Sequence, residues 1–180
     1  MYQTAGEGGT PDTSKREYYD NGAIPFIKID DLTNKYLLRN KDYITELGLS
    51  KSSAWIVPAN SVIFSNGATI GATSINKYDV TTKQGILGVV PTEGVDVEYL
   101  YYLMTSFYFR REINRIVTHG TMATAYLKDI NRILVPLPTI EEQIKAIRQL
   151  SSISCKEEIE KHMLQLLQVQ KQFLLQKMFI

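Results

Sequence analysis

The sequence predicts an α+β protein: a mixed, β-rich domain with a few helices over residues 1–138, then one long C-terminal helix over residues 139–180. Three observations predict it. Short runs rich in Ile and Val recur through the first half, bounded by Asn–Gly and other glycine turns. One apolar segment near Leu100 has helical rather than alternating periodicity. After Pro138 neither Gly nor Pro occurs, and apolar residues recur at spacings of three and four.

The predicted strands are Ile24–Ile29, Ser61–Ser65, Thr69–Thr73 and Gly85–Val90, with the clearest turns at Asn21–Gly22 and Asn66–Gly67. Ile133–Leu137 is a further apolar run, and its Pro136 makes it an edge strand or an extended connector. One helix is expected from Asp96, an N-cap followed by Glu98 in the first turn. Leu100, Leu103, Met104 and Phe107 form its apolar face, and Arg110, Arg111 and Arg115 suit its C-terminal end. Gly120, in Thr118–His119–Gly120, is the expected terminator.

The second region opens with Thr139 as N-cap and Glu142 three residues on, a capping box. Pro136 and Pro138 keep any earlier helix from running into it. Ile140, Ile144, Ile147, Leu150 and Ile153 make a first apolar stripe. Ile159, Met163, Leu166, Leu167, Phe173, Leu174 and Met178 make a second, with a break or register shift expected around Ser151, Ser154 and Glu157. Roughly 40 residues at about 1.5 Å each span about 60 Å, more than one domain of this size covers. The natural partner is another long helix. The alternative is a hairpin, folded back near Ser151–Ser154 onto its own domain.

Composition bounds the function loosely. Of 180 residues, 44% are hydrophobic, enough for a core and against wholesale disorder. The formal net charge of +1 neither requires nor excludes a nucleic-acid partner, because a local basic face can sit on a near-neutral protein. Cys155 is the one cysteine, so no internal disulfide framework exists, and a small packing residue is a better reading than a reactive thiol. The opening MYQTAGEGGT lacks a basic n-region and an apolar run, and no stretch approaches the roughly 18 apolar residues of a membrane span. The expectation is a soluble cytoplasmic protein.

No catalytic constellation stands out. GEGG (Gly6–Gly9) lacks the Lys and Ser/Thr of a phosphate loop, and GATIG (Gly67–Gly71) lacks a dinucleotide fingerprint, so turn glycine is the better reading of both. His119 and His162 with one cysteine do not make a zinc site, and no nucleophile elbow accompanies either histidine. Asp30–Asp31 is better read as the end of a strand than as an acid/base pair, since neighbours on a strand point to opposite faces. Recognition chemistry remains. Tyr, Asn, Gln, Lys and Arg in loops suit phosphates and base edges. The stretch from Arg110 to Arg132 is the most basic; read blandly, it is a solvated helix face and a surface loop.

At this point the chain resembles a known family. GGTPDTSKREYYDNGAIPFIKIDDL (Gly8–Leu32) is similar to the opening of a target recognition domain in the specificity subunits of type I restriction-modification systems. Tyr18–Tyr19 stands in the EYW-like slot, and Phe26 replaces a Trp. SVIFSNGATIGAT, TTKQGILGVVP, EYLYYLMTS and HGTMATAYLKDINRILVPLPTIEEQ follow in the family's order, and LLQVQKQFLLQKMFI resembles the end of its conserved helix.

The resemblance implies a non-catalytic reader of double-stranded DNA with one recognition domain (1–138) and one spacer helix (139–180). The helix would pair as an antiparallel coiled coil with a second copy or a second half-subunit. Two such domains would read a bipartite site with half-site centres at most roughly 18 base pairs apart. Methyltransferase subunits, and a restriction subunit, would be partners. No NPPY-like motif occurs, so S-adenosylmethionine would belong to the methyltransferase, and no cofactor or metal is expected here. The expected DNA contacts are Ser65, Asn66, Lys83, Gln84, His119 and Thr121, with Arg110, Arg111 and Lys128 on the basic stretch. The expected dimerisation residues are Ile144, Ile147, Ile159, Met163, Leu166 and Phe173. Two alternatives stand beside this reading: the specificity subunit of a related single-complex restriction enzyme, and a coiled-coil adaptor that binds protein without reading DNA.

Overall fold

A computed structural model describes residues 1–67, 69–118 and 123–178. By internal contacts the chain divides into two units, Met1–Ile140 and Glu141–Ile180.

Among the described residues the first unit holds eight strands, β1 (Tyr2–Glu7), β2 (Ile24–Ile27), β3 (Tyr36–Leu37), β4 (Asp42–Ile44), β5 (Val62–Ser65), β6 (Thr73–Asn76), β7 (Thr81–Thr82) and β8 (Ile86–Pro91). Its helices are α1 (Glu46–Ser50), α2 (Val97–Thr105), α3 (Phe107–Ile116) and α4 (Leu127–Ile130). The larger sheet has the order β1-β8-β5-β6-β3, antiparallel except for the β3–β6 edge. The smaller has the order β4-β2-β7.

The core follows from strand composition. β5 reads VIFS, buried on both faces, so its apolar run is continuous rather than alternating. Val62 and Phe64 pack with Leu87, Val89, Leu100, Met104, Phe109 and Ile113 beneath α2 and α3. The opposite residues, Ile63 and Ile86, pack with Ile27, Leu37, Val57 and Val80. Phe64 meets Phe109 edge-to-face at 5.9 Å. Gly6 faces Gly88 across β1 and β8, and the Trp55 indole lies against both.

Several elements differ from their expected bounds. The predicted helix from Asp96 is two helices. Ser106 is extended (φ −65°, ψ 154°), and its hydroxyl accepts from Phe109 N–H at 3.2 Å, so it ends α2 and caps α3. Asp96 caps α2 as expected, its carboxylate accepting from Glu98 N–H at 2.7 Å. α3 stops at Ile116, before the expected Gly120, which lies outside the described residues. The strand expected at Thr69–Thr73 begins only at Thr73, because the connection from β5 is a longer loop in which Gly71 takes φ +100°. Ile133–Leu137 is the extended connector, not a strand. Tyr108 and Tyr99 hydroxyls donate to its Leu134 and Pro136 carbonyls at 2.6 and 3.1 Å. β1 was not anticipated; its YQTAGE carries little apolar signal, and pairing with β8 defines it.

The second unit is the greater part of one helix, α5 (Ile140–Met178), of 39 residues. It runs through Ser151, Ser154 and Glu157 without a break, so the hairpin alternative is not the one formed. At about 1.5 Å per residue it is about 58 Å long.

Candidate nucleic-acid interface

Three loops far apart in sequence meet at one place. The first is the Lys83–Gln84 turn between β7 and β8. Ile86 N–H donates to Lys83 O at 3.1 Å, and Gly85 holds φ +85°, where a side chain would be strained. Lys83 N–H donates to Ile27 O (2.9 Å), Gln84 N–H to Thr10 Oγ1 (3.3 Å) and Gly85 N–H to Glu7 Oε1 (2.9 Å). Every backbone N–H from Lys83 to Ile86 therefore has a partner, while the Lys83 and Gln84 side chains are exposed. This geometry presents two polar side chains from a fixed backbone.

The second loop begins at Asn66–Gly67. Both residues donate their N–H to Gly85 O, at 3.1 and 3.2 Å. The third is the segment after α3, where Thr118 and Thr124 form an isolated antiparallel bridge. Ala125 N–H donates to Asn66 O (2.9 Å), and Asn66 Nδ2 donates to Ala125 O (3.1 Å). Asn66 thus ties the stem of the third loop to the first two.

That arrangement corrects two expectations. Ser65 and Asn66 are buried, Asn66 completely, so neither presents a side chain to a base. Asn66–Gly67 opens a longer loop rather than forming a tight turn, and the amide has a structural duty. The reading of GEGG as turn glycine also needs correction at Gly8 and Gly9, neither of which has positive φ. A Cβ on Gly8 would lie 2.0 Å from Thr82 O, and one on Gly9 2.3 Å from Ala54 N. Those glycines let the first loop's support approach closely. Glu7 and Thr10, on either side of them, are the residues that sequence reasoning missed. The tight glycine cluster was the available signal.

The remaining expected contacts divide as follows. Arg110, Arg111 and Lys128 are exposed. Arg111 and Arg115 both engage Glu112, at 3.1 and 2.8 Å. Partial burial pushes the Glu112 carboxyl up, but the two guanidiniums outweigh it and hold the carboxyl below its ordinary value. Arg110 has no ion pair among the described residues. Lys128 lies 5.6 Å from the centre of the Tyr126 ring, an exposed aromatic beside Ala125. His119 and Thr121 lie outside the described residues.

A second polar cluster, at Lys35, is an internal clamp. Lys35 Nζ is ion-paired with Glu98 and donates to Tyr102 Oη at 3.0 Å, over the Tyr102 ring; Tyr36 Oη donates to Glu98 at 2.6 Å. Burial pushes the Lys35 pKa down, but the bonds to Glu98 and Tyr102 raise it well above its ordinary value. It joins the β3 edge to α2. Among the described residues no three His, Cys, Asp or Glu side chains gather to hold a metal, and no helix is long and apolar enough to cross a membrane.

On α5, Ile144, Ile159, Met163, Leu166 and Phe173 are exposed and Ile147 is half-buried. Cys155 is also exposed, so within this chain it is not the buried packing residue expected of it.

The family model described as the type I restriction modification DNA specificity domain matches residues 4–169. The chain belongs to that family. The specificity subunit of the type I restriction enzyme MjaIX from Methanocaldococcus jannaschii is 35% identical over 150 residues, covering 80% of this chain and 34% of that protein. The EcoR124I/EcoR124II specificity subunit of Escherichia coli is 31% identical over 146 residues, covering 78% and 36%. This chain spans about a third of the length of these relatives. Among solved structures, the HsdS subunit from Thermoanaerobacter tengcongensis aligns with a TM-score of 0.62 at 19% identity, covering 85% of this chain and 35% of that one. The S subunit from M. genitalium aligns with a TM-score of 0.56 at 14% identity, covering 86% and 37%. The specificity-domain fold is therefore a β-rich, mixed-sheet domain followed by a long helix, as the sequence predicted.

Proposed function

We propose that this chain is a non-catalytic specificity half-subunit. It reads one half of a bipartite duplex DNA site and directs partner methyltransferase and restriction subunits to it, in the cytoplasm. The observation that carries the reading is the family match across residues 4–169, which spans the converging loops and most of α5 together. S-adenosylmethionine belongs to the methyltransferase.

Lys83 and Gln84 are the base-reading candidates, because their backbone is pinned and their side chains are exposed. Arg110, Arg111 and Lys128 hold phosphates and position the domain without reading sequence. His119 and Thr121, between the bridged Thr118 and Thr124 in sequence, are further readers. α5 pairs with a second long helix, supplied by a second copy; its row of exposed apolar residues supports this, since water is a poor neighbour for such a surface.

The test is genome-wide methylation mapping in cells carrying the full chain with its methyltransferase partner. One interrupted, symmetric motif is expected. Lys83→Ala with Gln84→Ala should change the motif, whereas Lys128→Ala should lower occupancy and leave the motif alone. An unchanged motif in the double variant sinks the assignment of that turn. Methylation by the chain with cofactor and DNA but no partner would overturn the non-catalytic reading.

A further inference from the structure

We propose that Glu7 is a further base-reading residue, whose carboxylate accepts from the 4-amino group of a cytosine in the major groove. The assignment rests on the reading of the Lys83–Gln84 turn given above and adds a residue of opposite polarity to it. Glu7 is the last residue of β1 and is exposed. Its Oε1 accepts from Gly85 N–H at 2.9 Å. That N–H belongs to the peptide between Gln84 and Gly85, the middle of the turn closed by Ile86 N–H on Lys83 O. The carboxylate therefore lies against the turn that carries both exposed side chains. The backbone beneath it is fixed. β1 pairs with β8 as far as Glu7 opposite Leu87, and Gly8 N–H donates to Ile86 O at 2.9 Å.

Holding Gly85 N–H does not need a charge. A neutral amide or hydroxyl oxygen accepts such a bond equally well. Glu7 nevertheless brings a carboxylate. Among the described residues it has no ion pair and its Oε2 meets no donor. Lys83 has no ion pair either. An uncompensated anion is repelled by phosphates, so it lowers affinity wherever it meets only the DNA backbone. It gains against a hydrogen-bond donor, and the donors that base edges present in the major groove are the amino groups of cytosine and adenine. Adenine sets its N7 acceptor beside that amino group, which suits an amide and repels a carboxylate; cytosine has no acceptor there. Guanine and thymine present acceptors, which would leave the carboxylate desolvated and unpaired. The three side chains at this turn thus differ in polarity: Lys83 only donates, Gln84 donates and accepts, and Glu7 only accepts.

The test maps methylation in cells carrying the full chain with its methyltransferase partner. The wild-type motif should contain a cytosine whose requirement depends on Glu7. In Glu7→Gln the amide oxygen keeps Gly85 N–H and an NH2 replaces Oε2, so the polarity of this contact inverts. That cytosine should give way to bases with an acceptor at the groove edge, while the other specified positions stay. Binding of the purified complex to duplexes with and without the 4-amino group at that cytosine isolates the contact. Loss of the group should weaken the wild type by about tenfold or more and Glu7→Gln by less than about threefold. Thermal denaturation of Glu7→Gln should stay close to that of the wild type, which separates lost reading from lost folding. A change confined to a position that is not cytosine, or an equal loss of binding in both proteins, overturns the proposal. Lys83→Ala with Gln84→Ala is the parallel control. A motif changed there but unchanged in Glu7→Gln leaves Glu7 as a support of the turn alone and overturns its reading role. A motif unchanged in both overturns the reading of the turn itself.

Discussion

The two units of this chain contrast in where their apolar surface goes. In the first, Val62, Ile63, Phe64 and Leu87 are essentially without solvent contact. In α5, Leu164, Leu167, Phe173 and Leu174 are each more than half exposed. The composition of the two does not explain this; the topology does. A sheet with helices against it buries its strands within its own unit, whereas a lone helix has no second layer within its unit to bury its apolar residues against. The lesson is that one unit should answer to its own contacts and the other to those of a partner.

Removing α5 after Pro138 breaks the comparison most severely. The β-rich unit should keep a cooperative thermal transition while dimerisation and site-directed methylation are abolished, as read by calorimetry, sedimentation and methylation mapping. If the truncated chain has no transition, the two units are not independent in stability.

Phe64→Ala tests the self-sufficient core. Phe64 is buried and packed on Phe109, so the change should cost about 4 kcal/mol by chemical denaturation and leave the helicity of α5 untouched. Asn66→Ala comes next. It removes the side-chain bond to Ala125 but also a buried Oδ1 that meets no donor among the described residues. A loss of about 1–2 kcal/mol is expected, together with relaxed sequence discrimination.

Lys35→Met should cost about 1–2 kcal/mol, since Lys35 and Glu98 are both mostly shielded. Its pH dependence has a definite sign. The folded pKa of Lys35 is raised above the ordinary 10.5, so its stabilisation is fully present below that value and is lost as pH rises through the folded one. The difference from wild type should be flat between about pH 6 and about pH 9, and should shrink only in stronger alkali. A difference that grows with alkali would contradict this linkage. Glu7→Gln and Thr10→Ala define the small end: Gln keeps an acceptor for Gly85 N–H, and Thr10→Ala removes one long bond, so each should shift stability by under about 1 kcal/mol.

Much of this fold was legible because it depends on local rules. Asp96 announced α2, and Asp31, accepting from Lys28 N–H at 2.9 Å, ends the β2 strand as its position suggested. The break at Ser106 was hidden, because apolar spacing continues through it from Leu103 to Phe107. β1 was hidden too, because its partner β8 lies some 80 residues away and half of its own residues face water. The candidate site divides in the same way. Lys83 and Gln84 were recognisable as polar turn residues, but Ser65 and Asn66 look no different in sequence.

The sequence by itself determined the single long helix and the apolar residues that recur along it, since both rest on spacing between near neighbours. Only the tertiary structure decided that Asn66 is a buried strut and that Glu7, Thr10 and Gly67 hold the Lys83–Gln84 turn. Those roles come from contacts between residues 18 to 78 positions apart, where close approach of backbones, not local preference, sets which groups are left to face a partner.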